Sequence, residues 1–520
     1  MDNTRELHDS SGRENRAPLR IPGRAGLLSI LSPSLTAPLQ FTTQRASVEL
    51  VPGRLAQLLV YRAEQAGNTF LNPSLVVQRD TTLAVDLLNQ LDEGTTIHWH
   101  GLDVEWTMDG HPLHTVAPGA TYQYRFVVRN RGGTYWYHSH AHEHTAQQVY
   151  LGLAGFLLVE DEEQRRLARA LDLTLGETDI PLLLQDKFLD AQGQISYPID
   201  TESQAMGVEG ATILTNLTLN PILEVATRLY RFRLLNGSNA RIFRLAFLKQ
   251  AEHESLPFWI IGTGSLLDRP HRVKEAFLAP GERVDVLLDI VPFAAGEMIT
   301  LKSLAFDPMH HEMSMEMPMG GMDMDDQSST HERHAGMNAP ALASGQAFSV
   351  LQLLVRERVP YDRVLPASLA TIEPVDIQGA TTRSFTLSVH EDGPLMHWLI
   401  NGLTFVLEED PIVVRKDMTE VWEIRNEARS MPHPMHLHGF QFQVVDRADS
   451  PGQVASLRVD DAGRMVTDLG WKDTVLVWPG ETVRLAIHFA HPYPSEQRYL
   501  FHCHILEHED TGMMLNCKVV

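Results

Sequence analysis

Along most of the chain, short apolar or β-branched runs alternate with polar positions and are punctuated by turn residues. This period-two pattern predicts half-buried strands and very few helices. Predicted strands include residues 81–88, 121–128, 133–137, 155–159, 284–290, 348–355, 421–424 and 482–489. Residues 161–171 break the pattern, being charged and helix-favouring, with Glu162 and Arg166 set four apart as an opposite-charge pair. Because it follows a predicted strand, this helix is expected to close a first domain.

Internal echoes give the domain count. Pro118-Gly119, Pro280-Gly281 and Pro479-Gly480 each precede an alternating strand. The second and third are also preceded by similar strands, Lys274-Glu275-Ala276-Phe277-Leu278 and Lys472-Asp473-Thr474-Val475-Leu476. His98-Trp99-His100-Gly101 returns as His436-Leu437-His438-Gly439, and His138-Ser139-His140 returns as His502-Cys503-His504. The middle third keeps the Pro-Gly strand without any His-x-His. Three copies of one all-β sandwich follow, at 45–172, 173–372 and 373–520, with the first and third carrying the chemistry. Residues 1–44 begin polar and rich in Arg, Asp and Ser, and are expected to form a flexible arm with no bearing on the fold. Residues 309–337 interrupt the second copy as a low-complexity insertion. It opens with Met309, Met313, Met315, Met317, Met319, Met322 and Met324, among interspersed His and Asp.

Composition then narrows the chemistry. Lys and Arg number 43 against 66 Asp and Glu, a formal charge of −23, which argues against a nucleic-acid footprint. No run approaches the ~18 apolar residues of a membrane span, and the start lacks the basic-then-apolar pattern of a secretory leader. Only two cysteines occur, Cys503 and Cys517, so a disulfide scaffold is excluded. Cys517 reads as a small buried apolar residue. The 25 histidines and 19 methionines instead point to a late transition metal.

Residues i and i+2 of a strand face the same way. Each His-x-His therefore aims two imidazoles at one side, and the four pairs supply eight. In His502-Cys503-His504 the thiol must point opposite to both imidazoles. With His508 five residues on, Met513 ten on and His433 available upstream, Cys503 has the partners of a blue-copper centre: two His, one Cys and a weak axial Met. A tetrahedral zinc site gains nothing from a distal thioether.

With these motifs the chain resembles the multicopper oxidases, the family of laccases and bacterial cuprous oxidases, from about Val48 to the C-terminus. The resemblance implies three consecutive cupredoxin-like Greek-key β-sandwich domains and four copper ions. The type 1 copper would take His433, Cys503, His508 and Met513. The type 2 copper would take His98 and His436, and the type 3 pair His100, His138, His140, His438, His502 and His504. None of these twelve positions is substituted. Because the eight cluster ligands divide between the first and third repeats, the cluster is expected at their interface. Asp109 and Glu509 match acidic positions the family uses to deliver protons to dioxygen. By the same resemblance the setting is expected to be periplasmic or extracellular; separately, a monomer is the expected assembly.

Thioethers prefer Cu(I), so the Met-rich insertion can collect cuprous ion and pass it on. Met431, in Arg429-Ser430-Met431, also suits a soft cuprous contact. The leading expectation is an oxidase coupling one-electron oxidation of Cu(I), phenols or aromatic amines to reduction of O2 to water. Two alternatives remain: a laccase for organic donors whose Met-rich segment is only a lid, and a copper-sequestering protein.

Overall fold

The computed structural model describes residues 16–21, 30–31, 38–65, 67–198, 200–249, 254–309, 342–392 and 395–520. Its six sheets form three stacked pairs. In the first, strands Leu39–Val51, Arg54–Gln65, Thr82–Asn89 and Thr121–Val127 face Ser74–Gln78, Ala154–Glu160, Gly133–His138 and His98–His100 across one apolar core. The second pair has seven and eight strands, and the third has five and five. Each encloses its own core.

Register makes the repeats equivalent. The three strands after the Pro-Gly turns are Thr121–Val127, Arg283–Asp289 and Thr482–His488. Each lies antiparallel to a strand that is itself parallel to an earlier one: Thr82–Asn89 beside Leu39–Val51, Leu229–Asn236 beside Asp179–Leu189, Thr419–Asn426 beside Thr381–Asp392. Parallel neighbours cannot be joined by a tight hairpin, so each repeat contains a crossover between its sheets. The fold is therefore three cupredoxin-like sandwiches in succession.

Three expectations need correction. The N-terminal segment is not independent of the fold. Ala17 and Pro18 pair in parallel with Pro221 and Ile222 at the edge of the second repeat, and Leu19 and Ile21 are buried in that repeat's core. Ile30–Leu31 then pairs with Ser74–Gln78 of the first repeat, and Leu39 opens its sheet. Few apolar anchors in a polar stretch suffice, since each buried Leu or Ile contributes ~1.5–3 kcal/mol. The helix Glu162–Leu171 forms, capped by the Asp161 side chain on the Gln164 N–H. Yet Glu162 pairs with Arg165 and Arg169, while Arg166 donates to the Leu369 carbonyl at 2.6 Å. Its apolar face does not seal the first domain either. Leu167 and Leu171 pack with Leu229, Ile261 and Leu287 of the second repeat.

Among the described residues, no helix is long and apolar enough to cross a membrane. Met313, Met315, Met317, Met319, Met322 and Met324 lie outside the described residues. Met309 is half-buried against an apolar cluster containing Phe277, Met465 and Trp478.

Candidate metal centre

The histidine pairs sit on equivalent ladders. In the first repeat His98 lies opposite His138 across an antiparallel pair; in the third His436 lies opposite His502. Alternation sends Trp99 into the first core, against Tyr124 and Phe126, while His98 and His100 leave it. Leu437 does the same in the third repeat. The exiting histidines meet face to face. His98 stacks on His438 with ring centroids 3.7 Å apart, and His100 on His436 at 3.8 Å. His98 Nε2 and His436 Nε2 lie 3.4 Å apart, and His502 Nε2 lies 3.0 Å from His438 Nε2 and 3.5 Å from His140 Nε2. His504 completes the group, 5.0 Å from His100 and 5.4 Å from His138 between centroids. All eight are buried at the meeting of repeats one and three.

Five of the rings are oriented by what their outer nitrogen bonds. The Nδ1 groups of His98, His138, His436 and His502 are 2.8–2.9 Å from the carbonyl oxygens of Asp109, Ser139, Asp473 and Cys503. His438 Nδ1 is 2.7 Å from Asp109 Oδ2. Such an acceptor fixes the proton on that nitrogen and leaves the other with a bare lone pair. Burial, reinforced by neighbouring imidazoles, pushes His100, His138, His140, His436, His438 and His504 well below the usual imidazole range; burial takes His502 down to about 3.

Behind the cluster, Cys503 points into the third core. Its Sγ is 3.4 Å from His433 Nδ1 and 3.6 Å from His508 Nδ1. Met513 is brought alongside by the ladder, its carbonyl accepting the Cys503 N–H at 3.0 Å, and is fully buried in the same apolar cluster. Burial pushes the Cys503 thiol up, so it would ionise only against a metal. Met431 is also in this core, 2% exposed.

The donor chemistry fits copper. His100 Nδ1, His138 Nε2 and both nitrogens of His504 are buried without a hydrogen-bond partner, the state of a lone pair intended for a cation. The nitrogens of His98, His436 and His438, and those of His140, His438 and His502, converge within 4.8 Å, as do the donors of His433, Cys503 and His508. Imidazole, thiolate and thioether together are a copper set rather than a magnesium or calcium one.

Two acids flank the cluster. Asp109 Oδ1 lies 3.3 Å from His98 Nδ1, while Glu509 lies 3.3 Å from both His140 Nε2 and His502 Nδ1. Burial raises Asp109 against the opposing pull of His98, and raises Glu509 well above the carboxylate range with help from Asp510.

Sequence reasoning missed several supports. Ala205, in the short helix Thr201–Met206, offers one carbonyl to both His508 Nε2 at 2.8 Å and Trp398 Nε1 at 2.6 Å. Ser430 Oγ is 2.9 Å from His433 Nε2. Asp473 and Thr474 lie against His100 and His436. Only the last pair had a signal, in the strand Lys472-Asp473-Thr474-Val475-Leu476 that echoes Lys274-Glu275-Ala276-Phe277-Leu278, and that signal spoke of fold rather than chemistry.

Family models described as multicopper oxidase match residues 62–164 and 374–520. The chain is 30% identical to a laccase of Bacillus subtilis over 451 residues, 81% of this chain and 78% of that protein. It is 29% identical to the multicopper oxidase Mco of Staphylococcus haemolyticus, over 92% of this chain and 87% of the other. The crystal structure of the McoA multicopper oxidase from Aquifex aeolicus superposes with a TM-score of 0.82 at 36% identity, covering 97% of this chain and 99% of that one. The chain belongs to the multicopper oxidase family. It is a copper-dependent oxidoreductase.

Proposed function

We propose that the protein couples four one-electron oxidations of Cu(I), phenols or aromatic amines to the reduction of O2 to two H2O. In this reading His433, Cys503, His508 and Met513 hold the type 1 copper, His98 and His436 the type 2, and the other six cluster histidines the type 3 pair. Copper at these positions supplies one-electron redox chemistry and dioxygen binding. One observation carries the reading: Cys503 faces one donor set while its chain neighbours His502 and His504 face the other. A single strand thus joins the two sets over a span on the order of 10 Å, with nothing that has to move.

The remaining residues serve protons and shielding. Asp109 and Glu509 stand on the cluster histidines with their protonated forms favoured by burial, which suits acids that must release protons to a reduced oxygen. His508 is fully buried under the Ala205 carbonyl, so donors would be oxidised without touching its ring. The Met-rich segment is assigned to collecting Cu(I), and the periplasmic or extracellular setting goes with that role.

Oxygen uptake by the copper-loaded enzyme tests this reading, with Cu(I) and a phenol as donors, before and after deletion of residues 309–337. Four electrons consumed per O2 without peroxide is the expected stoichiometry. Selective loss of the Cu(I) rate on deletion supports cuprous delivery. An unchanged Cu(I) rate with faster phenol turnover makes the segment a lid and the protein a laccase. Copper binding without oxygen consumption would leave a sequestering protein.

A further inference from the structure

The middle repeat contributes none of the proposed ligands, yet one of its side chains reaches the cluster. Arg283 opens the strand Arg283–Asp289 just after the Pro280-Gly281 turn and is 3% exposed. Its guanidinium bonds to all three repeats. Nε donates to the Thr134 carbonyl and Nη1 to the Gly281 carbonyl, each at 3.0 Å. Nη1 and Nη2 fork onto the two carboxylate oxygens of Asp473 at 2.7 and 2.5 Å. Asp473 in turn addresses two cluster histidines. Its Oδ1 accepts from His100 Nε2 at 3.0 Å, and its main-chain carbonyl accepts from His436 Nδ1 at 2.8 Å. Thr474 Oγ1 donates to Asp473 Oδ1 at 3.0 Å and sits 3.1 Å from both rings.

His100 is the exception among the oriented rings. His98, His138, His436, His438 and His502 bond outward through Nδ1. His100 bonds outward through Nε2, and its Nδ1 is buried without a protein partner. An ionised carboxylate only accepts, so a held Asp473 keeps the proton on His100 Nε2 and the lone pair on Nδ1. Only a bidentate guanidinium holds a carboxylate in one plane; an ammonium neutralises it without fixing its orientation. Beside this fork, Glu282 and Lys472 make a second buried ion pair at 2.9 Å between the same two segments, and it bonds no histidine. The Glu282–Lys472 pair thus joins the segments without orienting His100, and it serves as the control for Arg283, which does both.

We propose that Arg283 is a positioning residue for the copper cluster. It locks Asp473, and through Asp473 the tautomer and orientation of His100, so that the repeat without ligands governs a site built by the other two. This inference rests on the assignment of His100 to the cluster made above.

The test compares wild type, Arg283→Met, Arg283→Lys and Lys472→Met after identical copper reconstitution. Readouts are copper per chain, the blue thiolate absorbance, the near-ultraviolet absorption of the type 3 pair to which His100 is assigned, and the paramagnetic resonance spectrum of the type 2 copper, whose proposed ligand His436 also bonds Asp473. All four proteins are expected to keep the blue absorbance. Lys472→Met should retain wild-type copper content and type 2 spectrum. Arg283→Met should lose at least half of its cluster copper and shift the type 2 spectrum, and Arg283→Lys should fall between. Should Arg283→Met fail to fold, Arg283→Lys alone decides. An Arg283→Lys protein that loads and resonates as wild type overturns the inference. So does a Lys472→Met protein altered as much as Arg283→Lys, because docking alone would then explain both. A wild type that takes up no cluster copper overturns the ligand assignment, and the inference with it.

Discussion

The three Pro-Gly turns allow a steric prediction with internal controls. Gly119, Gly281 and Gly480 have φ of +76°, +78° and +78°. Alanine in this left-handed region costs ~1–2 kcal/mol at any of them. A Cβ at Gly119 or Gly480 would meet nothing within 4 Å. At Gly281 it would lie 2.8 Å from His504 Cδ2 and 2.9 Å from Cγ and Nε2, where ordinary contact begins at 3.4 Å. The imidazole must therefore retreat by about 0.6 Å, and it is fully buried among the cluster histidines His100 and His138, so any retreat moves it within the site. A catalytic or metal-binding constellation tolerates only ~0.5 Å of displacement. Gly119→Ala and Gly480→Ala should each lose ~1–2 kcal/mol of stability in denaturant titrations of the copper-free protein and still load fully. Gly281→Ala should lose at least as much stability and also lose cluster copper, while its blue absorbance persists. Full loading of Gly281→Ala with an unchanged type 2 spectrum would refute the reasoning, and so would equal loss of copper in the two controls.

Other expectations can be checked separately. Asp109→Asn keeps the side-chain shape but removes the ionisable acid; it should stay blue and reduce oxygen slower by about 10²-fold or more, and unchanged turnover would remove Asp109 from the mechanism. Lys187 is buried, its Nζ lacks a hydrogen-bond partner, and burial lowers it to about 8. Its charge therefore costs about 3 kcal/mol at neutral pH. Between pH 8 and 10.5 the unfolded chain holds more protons at this site than the folded one, so wild-type stability rises with pH there. Lys187→Met should accordingly be more stable at pH 7, by an advantage that shrinks toward pH 10.5; calorimetry showing a lower midpoint at pH 7 would contradict this. With copper at the proposed ligands, which only the folded chain brings together at the junction of repeats one and three, loading should raise the thermal midpoint. Identical midpoints for loaded and copper-free protein would count against an interfacial site.

The sequence made much of this architecture legible because its decisive signals are local. A two-residue period sets the faces of each strand, so the opposition of Cys503 to His502 and His504 could be read without coordinates. The Pro-Gly turns announced three repeats for the same reason. What escaped was long-range. Nothing local tells that Arg283 will meet Asp473, 190 residues away, or that the carbonyl of Ala205 will cap His508, 303 residues away. Backbone carbonyls carry no residue-type signature, and a buried arginine looks like any surface arginine in a chain with 43 cations. The N-terminal segment was misread for a related reason: its polar composition conceals Leu19 and Ile21, whose partners lie two hundred residues on.

That segment also bears on how the molecule is made. Residues 17 and 18 leave the ribosome early, but the strand they border, Pro221–Ala226, follows only after the entire first sandwich. Residues 17–21 therefore wait for a time without the strand they pair with, and the margin they come to cover is, when bare, the geometry through which one chain's strand can recruit another's. A shortened protein trimmed at residue 22 would carry that margin permanently. Its failure would take the form of aggregation rather than of altered catalysis, since the histidines would be untouched.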